Sequence, residues 1–184
     1  VLLRIRPAAI EELAARLPLG SVTVSATNGK TTTSRLIAAC IAAEGWRTVS
    51  NPAGANLLSG VATALLDGAG QRPPPQIGLF EVDEFALPEV ARRVRPRVVL
   101  LMNLFRDQLD RYGELEAVAD AWAAMVRTLP ADTVLVLNAD DPAVASLDPG
   151  GRPTVTFGVD DPEAALDALP HAADSTRCRA CGAP

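Results

Sequence analysis

A chain of 184 residues that is 48% hydrophobic and 21% charged has room for one sizeable packed domain, or one domain with a small appendage, and is not a disordered polymer. A net charge of −5 argues against a broad phosphate-tracking surface, so no nucleic-acid partner is expected, although a local anion site stays open. Three cysteines, two of them near the C-terminus, make no disulfide framework, and a reducing compartment is the expectation.

The segment "RPAAIEELAARL" (6–17) predicts a short amphipathic helix with Pro7 suited to its first turn. "SVTVSA" (21–26) predicts a strand. Asn28-Gly29 follows it, and alone this pair is a β-hairpin signal, because both residues accept positive φ. The hairpin lacks its second arm, however. From Thr32 to Glu44 the apolar Leu36, Ile37, Cys40 and Ile41 recur at helical spacing, and Gly45 supplies a stop.

Strand, glycine turn, Lys-Thr and helix is the order a phosphate loop requires. Backbone N–H groups at the helix start and the helix dipole favour an anion there. Lys30 would reach the β/γ-phosphates and the Thr31 hydroxyl would sit on Mg²⁺. One mismatch stands: the general pattern has Gly five residues before Gly29, where this chain has Val24. Of 17 basic residues Lys30 is the only lysine, the rest being arginine.

"WRTVSN" (46–51) predicts a second strand, followed by the turn "NPAGANLLSG", a helix over 60–67 and a loop over 68–76. "IGLFEV" (77–82) and "RVVLLMN" (97–103) are nearly continuous apolar runs, as in strands buried on both faces of a parallel sheet, with "LPEVARRV" as a crossover helix between them. "ELEAVADAWAAMVRTL" (114–129) predicts a longer helix, and "TVLVLN" (133–138) and "PTVTFG" (153–158) two more strands. The alternation implies an α/β fold with a doubly wound, mostly parallel sheet.

Polar groups gather at the strand ends, where open α/β sheets bind ligands. "FEVDE" places Glu81, Asp83 and Glu84 there, with Glu81 the preferred Mg²⁺ ligand; a solvated acidic turn is the competing reading for the other two. "NLFRDQLDRYGE" (103–114) concentrates Asn103, Arg106, Asp107, Gln108, Asp110 and Arg111, some of which surface ion pairs would explain. In "LNADDP", Asn138 could read a base, whereas Asp140 or Asp141 fits a helix cap before Pro142. Cys178 and Cys181 in "CRACG" have the spacing of half a zinc knuckle; Cys40 lies in the predicted helix, and His171 is the one other candidate ligand. No apolar run is long enough to span a bilayer. A chain that begins with Val and ends just after "CRACG" leads to the expectation that it is a piece of a longer protein.

"ATNGKTTT", "NPAGANLLSG", "EVDE", "NLFRDQLDRYGE" and "LNADDP", in this order, resemble the central ATPase domain of the Mur ligases. With "CRACG" following, the resemblance narrows to the MurT family, the ligase-like subunits of lipid II isoglutaminyl synthases. It implies a P-loop ATP-binding domain over 1–158, and over 159–184 an exit segment with the first half of a four-cysteine zinc ribbon; the family's C-terminal domain is absent from this chain. The activity it implies is ATP-dependent amidation of the D-glutamate α-carboxyl of the lipid II stem peptide, through an acyl phosphate. Ammonia would come from a GatD-type glutaminase partner, and the work would be done in the cytoplasm at the inner face of the membrane.

By the same resemblance Thr27, Asn28, Gly29, Lys30, Thr31 and Thr32 hold ATP phosphates and Asn138 lies near adenine. Thr31 and Glu81 hold Mg²⁺, Lys30 and Glu81 are the catalytic pair, and Cys178 and Cys181 hold Zn²⁺. Asn56, Asp107 and Gln108 are candidates for the substrate or a second metal. Mur ligases that add amino acids commonly have Gly in place of Ala26, His in place of Gln108, and a further, carbamylated lysine for which this chain has no residue. These departures favour the amidating branch. The alternatives are another Mur or folylpolyglutamate synthase-like ligase, or a non-catalytic nucleotide-binding module.

Overall fold

The computed structural model describes residues 6–105, 114–148, 150–161 and 163. Six strands form one sheet: β1 (Ser21–Ser25), β2 (Thr48–Ser50), β3 (Ile77–Glu81), β4 (Val98–Leu101), β5 (Val134–Asn138) and β6 (Thr154–Phe157). They lie in the order β2-β3-β1-β4-β5-β6, and every pairing is parallel. The helices are α1 (Ala9–Ala14), α2 (Lys30–Ala43), α3 (Leu58–Gly70), α4 (Leu87–Val94), α5 (Glu114–Thr128) and α6 (Pro142–Ala145). The doubly wound sheet expected from the strand–helix alternation is therefore present, with parallel pairing throughout the described strands.

Register divides the sheet into two unequal faces. Phe80, Val99, Leu101, Leu135 and Leu137 point to one side, where α1, α3, α4, α5 and α6 bury Ile10, Val61, Leu65, Leu87, Val90 and Trp122 against them. The other side carries Val24, Leu79 and Leu100, packed by Ile37 and Ala38 of α2. Among the described residues α2 is the helix on that face. This corrects the predicted stripe of Leu36, Ile37, Cys40 and Ile41: α2 has no fully buried residue, Leu36 is 63% exposed and Cys40 is exposed. Positions 36 and 40 lie about 100° around the helix from 37 and 41 on the side away from Ala38, so the face that packs Ile37 and Ala38 on the sheet turns Leu36 and Cys40 to solvent.

Two boundaries also moved. The helix expected from Thr32 starts at Lys30, because Gly29, at φ 85°, caps it in a left-handed conformation that a residue with a Cβ rarely adopts. The helix expected over 60–67 extends over Leu58–Gly70, taking in residues assigned to the loop. Close approach to β2 explains the extension at its C-terminal end. A Cβ on Gly68 would lie 2.8 Å from Val49 Cγ2, so the glycine that weakens the helix locally is what lets it dock.

Candidate nucleotide-binding site

The site forms where the central strands β1, β3 and β4 end on one edge of the sheet. β1 is buried along most of its length and is flanked by β3 and β4, so the turn after Ser25 emerges between their two exit segments. Each exit segment fixes a different part of this turn.

The segment after β4 holds the first half of the loop. Asn28 N–H donates to Asn103 Oδ1 at 2.9 Å, while Asn103 Nδ2 donates to the Asn28 carbonyl at 3.1 Å. The Thr27 N–H donates to the Asn103 carbonyl at 3.0 Å, and the Phe105 N–H donates to Thr27 Oγ1 at 3.0 Å. Thr27 and Asn28 are thus tied to a neighbouring strand by side chain and backbone together. Asn103 was legible in the sequence only as one polar group in a crowded stretch; its clamp on the loop depends on β1 and β4 being adjacent.

The segment after β3 holds the second half. Thr31 Oγ1 donates to Glu81 Oε1 at 2.9 Å, and Lys30 Nζ donates to Glu84 Oε2 at 2.9 Å. Nζ also meets the carbonyls of Thr27, at 3.3 Å, and Ala26. Glu81 is itself positioned by Asn51 at the end of β2. Asn51 Oδ1 accepts from the Glu81 N–H at 3.0 Å, and its Nδ2 donates to the carbonyls of Glu81 (2.8 Å) and Ala55 (2.9 Å). Asn51 and Glu84 are the contributions that sequence reasoning missed or left even. The signal available was an Asn at a strand end, on the same edge as the loop.

Lys30, Thr31 and Thr32 occupy the first turn of α2, where N–H groups have no intrahelical acceptor and the helix dipole is positive. Phosphate oxygens are the natural acceptors for such a turn. The donors for a divalent cation are a hydroxyl and a carboxylate, hard oxygens of the type Mg²⁺ selects, and Mg²⁺ characteristically uses one or two protein ligands together with substrate phosphates. Thr31 and Glu81, hydrogen-bonded to each other beside that helix start, fit this demand. Among the described residues no group of three or more His, Cys, Asp or Glu is placed to hold a metal ion, so the described side chains alone do not form a metal cage.

The other candidates fall in different places. Asn138 lies on the same sheet edge at the end of β5, with Oδ1 accepting from the Asp140 N–H at 3.0 Å. Asp83 makes a local turn, accepting from the Phe85 N–H at 3.0 Å, and its own N–H donates to the Asn56 carbonyl at 2.9 Å. Asp141 caps α6 through the N–H groups of Ala143 and Val144, and its Oδ2 accepts from the Leu104 N–H at 2.8 Å. Asp107, Gln108, His171, Cys178 and Cys181 lie outside the described residues.

Because Asp141 is buried and holds three backbone donors, Asp141→Ala is expected to destabilise the fold by about 2–4 kcal/mol. Asp141→Asn, which keeps Oδ1 for the cap, should cost less. Chemical denaturation followed by circular dichroism measures both, and equal stability of the alanine variant and the parent would contradict the cap assignment.

Comparison with known proteins agrees with this geometry. Residues 24–180 match the model of the Mur ligase middle domain. The chain is 36% identical over 138 residues to the lipid II isoglutaminyl synthase (glutamine-hydrolyzing) subunit MurT of Staphylococcus aureus (strain COL), covering 75% of this chain and 31% of that protein. It is 33% identical over 160 residues to the UDP-N-acetylmuramoylalanine–D-glutamate ligase of Aromatoleum aromaticum, covering 86% of this chain and 33% of that protein. Among solved structures, the MurF ligase from Thermotoga maritima in complex with ADP superposes with a TM-score of 0.71 at 19% identity, over 85% of this chain and 37% of that one. The chain therefore spans about a third of the length of these curated relatives. A parallel sheet with this loop at the end of β1, matched over most of its length by the family model, makes the chain a member of the Mur ligase family, corresponding to its middle domain.

Proposed function

We propose that the chain is the nucleotide-binding part of an ATP-dependent ligase that amidates the D-glutamate α-carboxyl of a lipid II stem peptide. The observation that carries the ATP reading is the pair Thr31–Glu81, 2.9 Å apart, beside Lys30 in the first turn of α2. Phosphoryl transfer requires charge neutralisation and positioning more than covalent catalysis, and this corner supplies both. The N–H groups of Lys30, Thr31 and Thr32 would receive phosphate oxygens, and the Lys30 ammonium would neutralise charge on the β/γ-phosphates. Thr31 and Glu81 would hold Mg²⁺, which when bound supplies further positive charge to the triphosphate. Asn138 would lie toward the base.

In the proposed reaction the carboxylate oxygen takes the γ-phosphoryl group and ADP leaves. Ammonia from a GatD-type glutaminase then attacks the carbonyl carbon, and as the amide forms the acyl–phosphate bond breaks, phosphate departs and one proton of the ammonia is lost to phosphate or solvent. Two sequence features favour ammonia over an amino acid as the nucleophile: Gln108 replaces the metal-site histidine, and no second lysine is present for carbamylation. The MurT relative is the match that supports this branch, while the D-glutamate ligase relative favours the amino-acid-adding reading.

The deciding experiment supplies the full-length protein and a co-expressed glutaminase with a lipid II analogue, ATP, glutamine and D-glutamate, and reads the product by mass spectrometry. Conversion of the carboxyl to a primary amide, with nitrogen traced to labelled glutamine, is expected. Attachment of a whole amino acid would refute amidation and leave the ligase reading standing. The 184-residue chain alone is expected to bind nucleotide weakly and to form no amide.

A further inference from the structure

The two ends of the β3 exit segment address adjacent residues of the loop. Glu81 accepts from Thr31, and three residues later Glu84 accepts from Lys30, each at 2.9 Å. The Lys30 ammonium has three N–H donors, and its three protein acceptors are Glu84, Thr27 and Ala26. A phosphate oxygen can recruit this ammonium only by displacing one of them. The backbone of Glu84 is anchored: its carbonyl accepts from Nε1 of Trp122 at 2.9 Å, and Trp122 is fully buried in the main core.

We infer that Glu84 is a positioning residue that makes the loop selective for a metal-complexed triphosphate over the metal-free form; the inference rests on the nucleotide reading above. Among the described residues, with Glu84 neutralising Lys30, the carboxylates of Glu81 and Asp83 are left as the excess charge of this corner. Asp83, between them, accepts from the Phe85 N–H and keeps its charge, while Arg35, beside Glu81, is exposed and screened by water. The Lys30 and Glu84 side chains are only 12% and 15% exposed, so their charges act through a medium less screening than bulk water. A metal-free triphosphate meets more negative than positive charge among the described residues of this corner and must also break the Lys30–Glu84 pair. A triphosphate arriving with Mg²⁺ brings the cation that Glu81 and Thr31 are placed to receive, which offsets both costs.

The test is the Mg²⁺ preference of binding, read as the ratio of ATP dissociation constants in EDTA and in excess Mg²⁺, by ³¹P NMR titration of the full-length protein. Glu84→Gln keeps the size and an acceptor oxygen but removes the charge. It is expected to tighten metal-free ATP by about tenfold while changing the Mg²⁺ complex by less than about threefold, so the preference falls. Glu84→Asp, which keeps the carboxylate, should retain most of the preference. A residue with a merely structural role would weaken both forms together and leave the ratio where it was. If Glu84→Gln does not fold by circular dichroism, Glu84→Ser is read by the same ratio. Parental ATP binding with an unchanged ratio in the charge-removing variant overturns the inference alone; no ATP binding by the parent under either condition overturns the nucleotide reading and this inference with it.

Discussion

Replacing Lys30 with alanine in the full-length protein is expected to lower ATP-dependent turnover by about 100-fold to 1,000-fold, the usual cost of removing one preorganised charge that stabilises a transition state. The geometry adds a second expectation: Lys30→Arg should fall nearly as far. The ammonium sits among the carbonyls of Ala26 and Thr27 and the carboxylate of Glu84, a compact three-acceptor nest. A planar guanidinium is broader and holds its donors in a fixed fork, so it cannot satisfy the same three acceptors. This gives physical content to the composition, in which arginine occupies every basic position except this one. Steady-state turnover with circular dichroism of each variant checks both claims. Activity retained in the alanine variant would remove the phosphate-loop assignment, and full activity with arginine would remove the argument from shape.

The largest effect on stability is expected at Trp122. It is the largest fully buried side chain, and α5 presents it to the core while its Nε1 reaches the Glu84 carbonyl. Trp122→Ala should destabilise the fold by about 3–5 kcal/mol, through lost burial, the cavity left behind and an unpaired carbonyl. Trp122→Phe fills most of the space but cannot donate. Its loss therefore combines a smaller packing defect with about 1 kcal/mol for the hydrogen bond. Urea denaturation monitored by far-ultraviolet circular dichroism, which does not depend on the deleted fluorophore, measures both. A loss below about 1 kcal/mol for alanine would mean that α5 contributes far less to this core than its burial implies. Because Trp122 anchors the backbone of Glu84, the same variants should also loosen the hold on Lys30.

Much of this architecture was legible in the chain. The apolar runs at 77–82 and 97–103 suit strands buried on two faces, and they contain β3 and β4. Lys30 and Thr31 stand out as candidates from the order strand, glycine turn, Lys-Thr and helix, and Glu81 because it ends a buried strand. The acidic cap at Asp141 was legible from Pro142 beside it. Harder to see were the contacts made by residues that are ordinary in sequence. Asn51 and Asn103 each end a strand run, as many asparagines do, and nothing local says that one grips Glu81 and the other Asn28.

The sequence by itself determined the order of elements and the placing of a lysine and a threonine where a strand and a glycine turn lead into a helix. Those features are local: turn chemistry, helical period and strand composition act over a few residues. Only the tertiary structure decided which carboxylate faces which loop residue, that α2 sheds Leu36 and Cys40 to solvent, and that two strand-end asparagines clamp the site. The reason is the strand order. Placing β1 between β3 and β4 brings residues 50 to 78 positions apart within hydrogen-bonding distance, a relation that no period or spacing along the chain encodes.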